Sequence, residues 1–339
     1  MRSEIRIDLG ALRRNVRRLI GVLDGSALWA VVKADAYGHG AADAARAALD
    51  AGATALCVTT VAEGLTLRRV LSGQVRVLVL GPAADDELRE ARQAGLELCV
   101  SGGPIPEGLP VHVKLDTGMG RYGFRRLPEL RENVVGLMSH LATADTDPGF
   151  AERQIARFRE ASAEHPELEA HLANSAAALR FPSSRFAAAR CGVALYGLSP
   201  FGGDPAADGL EPVLSWRSAL AQVKRLETGE STGYGRRFVA QRPTWIGLVP
   251  VGYADGFRRD LTGTEVLVAG ERRRVVGTVS MDSFAVELDR EHPAGEAVTL
   301  IGDGLLVEEH ARVAGTINYE LVCGLRARPE RGTRKVVDG

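Results

Sequence analysis

The stretch 28-LWAVVKADAYGHG-40 sets the reading of the whole chain. Residues 28–32 make an apolar, β-branched run of the length of a buried strand. The run ends in Lys33, and after the Gly-His-Gly at 38–40 comes a small-residue helix, AADAARAAL. A lysine at the carboxyl end of a buried strand is badly placed for solvation. Once desolvated, its amine can lose the proton and attack a carbonyl, as Schiff-base lysines do. The plainer alternative is a lysine that snorkels out of the strand end. Composition favours chemistry. Of 42 Lys+Arg, only Lys33, Lys114, Lys224 and Lys335 are lysine. Arginine serves wherever a cation is enough, but it cannot form an imine.

From residue 28 onward the chain alternates strand and helix. Apolar strand candidates are 28–33, 54–58, 75–80, 96–100, 111–115 and 134–138, with weaker ones at 169–172 and 187–191. Helices are expected at 40–50, 61–71, 84–94, 150–164 and 174–180, and none in 101–110, SGGPIPEGLP. Eight such units predict a (β/α)₈ TIM-like barrel, with a doubly wound open sheet as the alternative. The polar residues decide between them. Lys33, Arg121, His140 and the Asn174-Ser175 pair each follow a different strand, at the carboxyl ends where barrel sites are built.

Past residue 201 the texture changes. GGDPAADGLEP is a Gly/Pro/Asp linker, followed by strand-like runs at 213–227, 244–251, 264–269, 272–279, 283–288 and 297–301. The expected domains are a barrel over 10–208 and a mainly β domain over 209–339 that also takes in an N-terminal strand, 1–9. VEEHARVAG reads as a short helix, and the basic tail beyond Arg326 as loosely ordered. The net charge of −1 gives no case for nucleic acid or membrane as partner. Cys57, Cys99, Cys191 and Cys323 show no C-x-x-C pairing, which favours free thiols over disulfides or a metal site. The alternating start, MRSEIRIDLG, is unlike a signal peptide, and no run has the length of a membrane span. A soluble cytoplasmic protein is expected.

Individual motifs are weak alone. Gly118, Gly120 and Gly123 match G-x-G-x-x-G, yet Pro128 interrupts and no acidic residue stands at the right distance, so a nicotinamide dehydrogenase rests on glycine spacing only. Arg121 in that loop suits a substrate carboxylate. Lys114 shares a strand face with His112 and Asp116, and Asp116 is its simplest partner. His140 offers an imidazole past a strand end. Asn174-Ser175 reads as a helix N-cap suited to phosphate, with Arg190 and Gly192 at the eighth strand. In the second domain, Tyr253, Met281, Asp282 and Tyr319 lie in turn-like settings. Taken together, an imine-forming lysine, a phosphate cradle, a carboxylate-binding arginine and a tyrosine acid/base suggest a pyridoxal phosphate enzyme acting on an amino acid.

From about residue 3 to 326 the chain resembles alanine racemase, a fold-type III pyridoxal phosphate enzyme. VVKADAYGHG, DTGMGRYGF, SHLATAD, HLANS, GVALYGLSP, GYADG, SMD and NYE occur in family order. The resemblance implies racemisation of L- and D-alanine by two bases, supplying D-alanine for peptidoglycan. It implies a head-to-tail homodimer with shared active sites. Lys33 is similar to the cofactor-bound lysine and first base, and Tyr253 to the second base, supplied across the dimer interface. Tyr37, Ser175, Gly192, Val193 and Tyr319 correspond to phosphate-binding residues, and His140 to the residue beside the pyridine ring. Arg190 corresponds to the partner of the pyridine nitrogen. Because arginine cannot accept a proton, that nitrogen would stay unprotonated and side reactions would be restrained. Arg121 and the Met281 backbone are implied for the substrate carboxylate. Lys114 matches a lysine carbamylated in some members and paired with the arginine, here Arg121. His171 is expected to link Arg190 to Tyr253, with Asn174 and Asp282 as outer residues. Two features depart from the family: Ser280 in place of a common cysteine, and the tail after Arg326. Alternatives are a racemase of another small amino acid such as serine, or a non-catalytic pyridoxal phosphate-binding protein. The β domain with Tyr253 argues against the second.

Overall fold

The computed structural model describes residues 2–71 and 75–339. Met1, the first residue of the expected 1–9 segment, lies outside them. The chain divides into two compact units, one of residues 11–201 and 205–211, the other of 1–10, 202–204 and 212–339.

The second unit begins with β1 (Ser3–Asp8). The first opens within the helix Leu9–Leu23 and continues into the barrel strands. These are β2 (Ala27–Val31), β3 (Ala55–Val58), β4 (Arg76–Val79) and β5 (Glu97–Val100), then β6 (Val111–Lys114), β7 (Val134–Met138), β8 (Glu169–His171) and β9 (Ala188–Cys191). They run parallel and close, with β9 pairing back onto β2. Each strand end falls within one or two residues of its expected place, because both faces are covered and the strands read as apolar runs. Trp29, Val31, Cys57, Leu78, Cys99 and Met138 fill the barrel core. The helices follow their end signals. Thr60 and Glu63 form a reciprocal capping box ahead of Val61–Val70, and the Asp147 side chain caps Pro148–Ala163.

Strands of the other unit are β10 (Leu214–Ala219), β11 (Gln222–Leu226), β12 (Ser231–Thr232), β13 (Phe238–Val239), β14 (Thr244–Val249), β15 (Glu265–Val268), β16 (Glu271–Val276), β17 (Phe284–Leu288), β18 (Ala297–Ile301) and β19 (Thr333–Val337). Nine of them form one sheet in the order β11-β14-β17-β16-β15-β18-β10-β1-β19. The N-terminal strand pairs antiparallel with β10, as a sheet partner rather than a barrel strand. Two expectations need correction. The run 213–227 is two strands, broken where Leu220 and Ala221 donate to the carbonyls of Glu296 and Leu248. The tail is not loosely ordered: β19 pairs parallel with β1, and Arg331 clamps Asp255 and Asp282.

Candidate active site

Lys33 stands two residues past the end of β2, after Val32. Residues 34–37 after it wind in the left-handed sense, with φ of 53, 52, 55 and 55° at Ala34, Asp35, Ala36 and Tyr37. Such residues cost about 1–2 kcal/mol each without glycine, so the surroundings must hold them. Ala34 N–H donates to Glu63 Oε1 at 2.7 Å, Gly40 N–H to the Asp35 carbonyl at 2.8 Å, and Ala41 N–H to Asp35 Oδ1 at 2.8 Å. His39 stacks on Tyr196, 4.5 Å between ring centroids, and the Tyr196 hydroxyl donates to the Val31 carbonyl at 2.7 Å. The turn carries Tyr37 over the barrel mouth, 5.1 Å from the Tyr196 ring.

A polar cup forms opposite. Asn174 is the cap of the helix Ser175–Arg180, accepting from Ala177 N–H at 3.0 Å, and Ser175 is its first residue rather than part of the cap. The buried Ser175 hydroxyl accepts from the amides of Gly192 and Ala194 at 3.1 and 3.3 Å. A side chain at Gly192 would put its Cβ 2.5 Å from the Tyr37 hydroxyl, so the phenol would have to move aside for any larger residue. Tyr37, Ser175, Gly192 and Val193 thus meet as a cluster of hydroxyls and first-turn amides, the donor set a phosphate takes.

Arg190, on β9, is buried beneath this cup. Its Nη1 donates to His171 Nδ1 at 2.5 Å and to the His171 carbonyl at 2.8 Å. Its Nη2 donates to the carbonyls of Ser139 and Leu172 at 2.7 and 3.1 Å, with His140 Nδ1 at 3.5 Å. Among the described residues its Nε–H has no hydrogen-bond partner, leaving one donor for an acceptor such as a pyridine nitrogen. Burial, followed by the positive fields of Arg190, Lys114 and Arg121, holds His140 well below its ordinary 6.5, so the ring is neutral. His171 is held low the same way, by burial and then Arg190. Its second ring nitrogen lies 2.9 Å from His112 Nδ1. Both ring nitrogens of His171 thus have partners inside the barrel of this chain.

Lys114 ends β6, buried, with Nζ 5.8 Å from the Tyr122 ring centre. Burial, then the fields of Arg121 and Arg190, push its amine below 10.5. Asp116 is not its ion-pair partner. That carboxylate accepts instead from the amides of Gly118 and Gly120 at 2.9 and 3.1 Å, shaping the loop that carries Arg121. Among the described residues the side chains of Lys114 and Arg121 make no hydrogen bond or ion pair. The chain turns back from this loop to Phe124, whose N–H donates to the Lys114 carbonyl, so no helix follows the glycines and the dinucleotide fingerprint lapses.

In the other unit, Tyr253 and Met281 sit on adjoining turns. Tyr253 N–H donates to the Ser280 carbonyl at 3.1 Å and Ala254 N–H to the Met281 carbonyl at 3.1 Å. Both side chains stand out to solvent, 43% and 52% exposed. Beneath them Asp255 is buried, accepting from Gly252 N–H at 2.9 Å, from Arg2 at 3.0 Å and from Arg331 at 2.6 Å. Asp282 takes a second bond from Arg331 at 2.7 Å. Tyr319 lies in the short helix Asn318–Cys323. Among the described residues no cysteine forms a disulfide, and Cys57, Cys99 and Cys191 are buried. Sequence reading overlooked Glu97, which accepts from His112, although an acid opening the otherwise apolar strand LELCV was a visible signal.

Comparison with known proteins gives the family and fold of the chain. Residues 7–200 match the family model for the alanine racemase N-terminal domain and residues 213–333 that for the C-terminal domain. The chain is 41% identical to the alanine racemase of Streptomyces coelicolor, covering 98% of this chain and 95% of that protein. It is 39% identical to alanine racemase 1 of Bacillus subtilis, covering 96% and 91%. The crystal structure of alanine racemase from E. faecalis superposes with a TM-score of 0.90 at 36% identity, over 99% of this chain and 98% of that one. One from Bartonella henselae, described with covalently bound pyridoxal phosphate, does so at 0.88 and 26% identity, over 99% and 100%. With both domains matched in order around this barrel mouth, the chain belongs to the alanine racemase family of isomerases.

Proposed function

We propose that the protein interconverts L- and D-alanine at the mouth of its barrel, using pyridoxal 5′-phosphate held there by its own residues and two bases, Lys33 and Tyr253. The observation that carries the reading is the convergence of the Tyr37–Ser175–Gly192 cup, a lysine at a strand end and a buried arginine with one N–H left over. These fit the phosphate, aldehyde and ring nitrogen of that cofactor. Tyr319 is a further phosphate ligand on this reading. Bound pyridoxal phosphate supplies an electron sink that acidifies the α-hydrogen of an amino acid joined to it.

The chain's own residues do the rest. Lys33 holds the cofactor and then moves the α-proton on one face, taking it from D-alanine. Tyr253 does so from the other face, taking it from L-alanine, and is supplied by a second copy in a head-to-tail homodimer. Its solvent exposure beside Met281 suits a residue that reaches into a partner's site. Arg190 can only donate, so it leaves the ring nitrogen unprotonated and moderates the sink, which favours return of the proton over bond-breaking side reactions. Neutral His140 lies beside the ring. Arg121 and the Met281 amide take the substrate carboxylate, and Asp282 and Asn174 shape their loops. Lys114, buried with a depressed pKa, is suited to react with carbon dioxide, and the resulting carbamate would pair with Arg121. Among the described residues no helix is long and apolar enough to cross a membrane; on this reading the enzyme works in the cytoplasm and its D-alanine feeds peptidoglycan.

The test is incubation of the purified, pyridoxal phosphate-loaded protein with L-alanine in D₂O, following chirality and α-deuterium. Deuterated D-alanine together with a visible absorbance band supports the reading. Exchange without inversion removes Tyr253 as second base, and absence of both band and turnover overturns the reading.

A further inference from the structure

A line of hydrogen bonds leaves Arg190 and runs down the inside of the barrel. His171 Nε2 lies 2.9 Å from His112 Nδ1, and His112 Nε2 lies 2.8 Å from Glu97 Oε2. Glu97 is held in turn by Arg76, at 2.8 and 2.9 Å, and Arg76 by Glu169 at 2.8 Å. Both imidazoles are fully buried, whereas Arg76 and Glu169 reach solvent. Glu97, Arg76 and Glu169 are the first residues of β5, β4 and β8, and so lie at the amino ends of the strands. The line therefore joins the two ends of the barrel.

Its proton order has one solution. A guanidinium only donates, so His171 must accept at Nδ1 and carry its proton on Nε2. That proton points at His112 Nδ1, which must accept and carry its own proton on Nε2. The last proton points at a carboxylate oxygen. Burial alone would raise the Glu97 carboxyl, but its hydrogen bonds to His112 and Arg76 outweigh this and bring it down to about 2, so at neutral pH an acceptor stands at the far end. A second feature shows that the space for the line is built in. Strand β7 lies between β6 and β8, and its Gly136 faces the imidazole pair. A Cβ there would fall 2.1 Å from His112 Nδ1. Trp29 packs on both rings, at 5.7 and 4.5 Å between centroids, and Arg76 lies 5.0 Å from the Trp29 ring centre.

We infer that Glu97 and His112 are positioning residues of the site: through the fixed tautomer of His171 they hold the Arg190 guanidinium with its Nε–H available for the cofactor ring. The inference rests on the reading of Arg190 given above. Removing the anion at position 97 leaves an amide with one acceptor oxygen, where two oxygens now take three bonds from His112 and Arg76, so its NH₂ must oppose an N–H of Arg76 or turn toward His112. If its NH₂ faces His112, both imidazoles must flip tautomer, and a ring N–H then opposes Arg190 Nη1.

The experiment is ¹⁵N NMR of the histidine ring nitrogens in the pyridoxal phosphate-loaded enzyme, with assignments from single-histidine variants, alongside cofactor affinity and the visible spectrum. In the unaltered enzyme His112 and His171 are expected as neutral Nε2–H tautomers at neutral pH. An Nδ1–H tautomer or an imidazolium at either one overturns the inference. Glu97→Gln is expected to perturb the tautomer signals, shift the cofactor spectrum and weaken cofactor binding by about 10–100-fold, the range for outer-shell partners. Gly136→Ala should separate the imidazoles and do the same by steric means, which covers the case in which Glu97→Gln does not fold. Arg190→Met distinguishes the two readings. A spectrum and affinity unchanged by Arg190→Met defeat its role at the ring. A change in Arg190→Met with none in Glu97→Gln or Gly136→Ala defeats the line alone.

Discussion

Single side chains divide here into those that carry out a step and those that keep another group in place. Lys33→Arg keeps the charge and cannot form an imine, so the expected outcome is no visible band with added pyridoxal phosphate and no turnover. A band in this variant would remove Lys33 from its role. Tyr253→Phe should keep the band and suppress racemisation by roughly 10²–10⁴-fold, the usual contribution of a positioned acid/base group. Glu97 also links to stability. Its folded pKa of about 2 lies below the ordinary 4.5, so its stabilising contribution is complete above that ordinary value and is lost as pH falls toward about 2. Acid unfolding followed by circular dichroism should therefore be less steep across that window in Glu97→Gln than in the unaltered protein.

At the scale of elements, the left-handed turn at 34–37 is the clearest case of surroundings overruling local preference. Ala34 is exposed, so glycine there relieves left-handed strain without loss of packing. Ala34→Gly is expected to leave thermal stability unchanged or raise it by up to about 1 kcal/mol. Ala34→Val should lower it, since a β-branched residue fits that conformation worse. The tail is the second case. Asp255 would be raised by burial, but Arg331, Gly252 and Arg2 hold it below its ordinary 3.8. Arg331→Ala should leave Asp255 and Asp282 short of a partner, detach β19 from β1 and expose the tail to limited proteolysis. A tail as protease-resistant as before would show that strand pairing alone secures it. Neither element was legible in the sequence. Residues 34–37 contain no glycine to announce a positive φ, and TRKVV is an exposed edge strand whose order comes from a neighbour, so it has no buried face to leave a pattern.

For the molecule as a whole, Lys33 and Tyr253 belong to different compact units. If each site is shared head-to-tail between two copies, mixing inactive Lys33→Arg and Tyr253→Phe proteins under subunit exchange should restore activity. Each hybrid dimer would contain one site with both bases intact. No recovery, with hybrids demonstrated by tagged subunits, would place both bases in one chain.

Much of this protein was written in its order of residues. Apolar runs ending in Lys33, His140 and the Asn174-Ser175 pair foretold a closed barrel with chemistry at its carboxyl ends, because a parallel strand covered on both faces must be apolar along its length. The rarity of lysine singled out Lys33, because only an amine can form an imine. What pairs with what required the tertiary structure. Asp116 and Lys114 share a strand face yet do not pair, since loop amides reach the carboxylate first. Glu97, His112, His171 and Arg190 stand on four different strands, far apart in sequence, and form one line only because the barrel closes and Gly136 leaves the gap. Periodicity records which face of a segment is buried. Hydrogen-bond partners depend on where distant segments meet, and that is decided only by the closed fold.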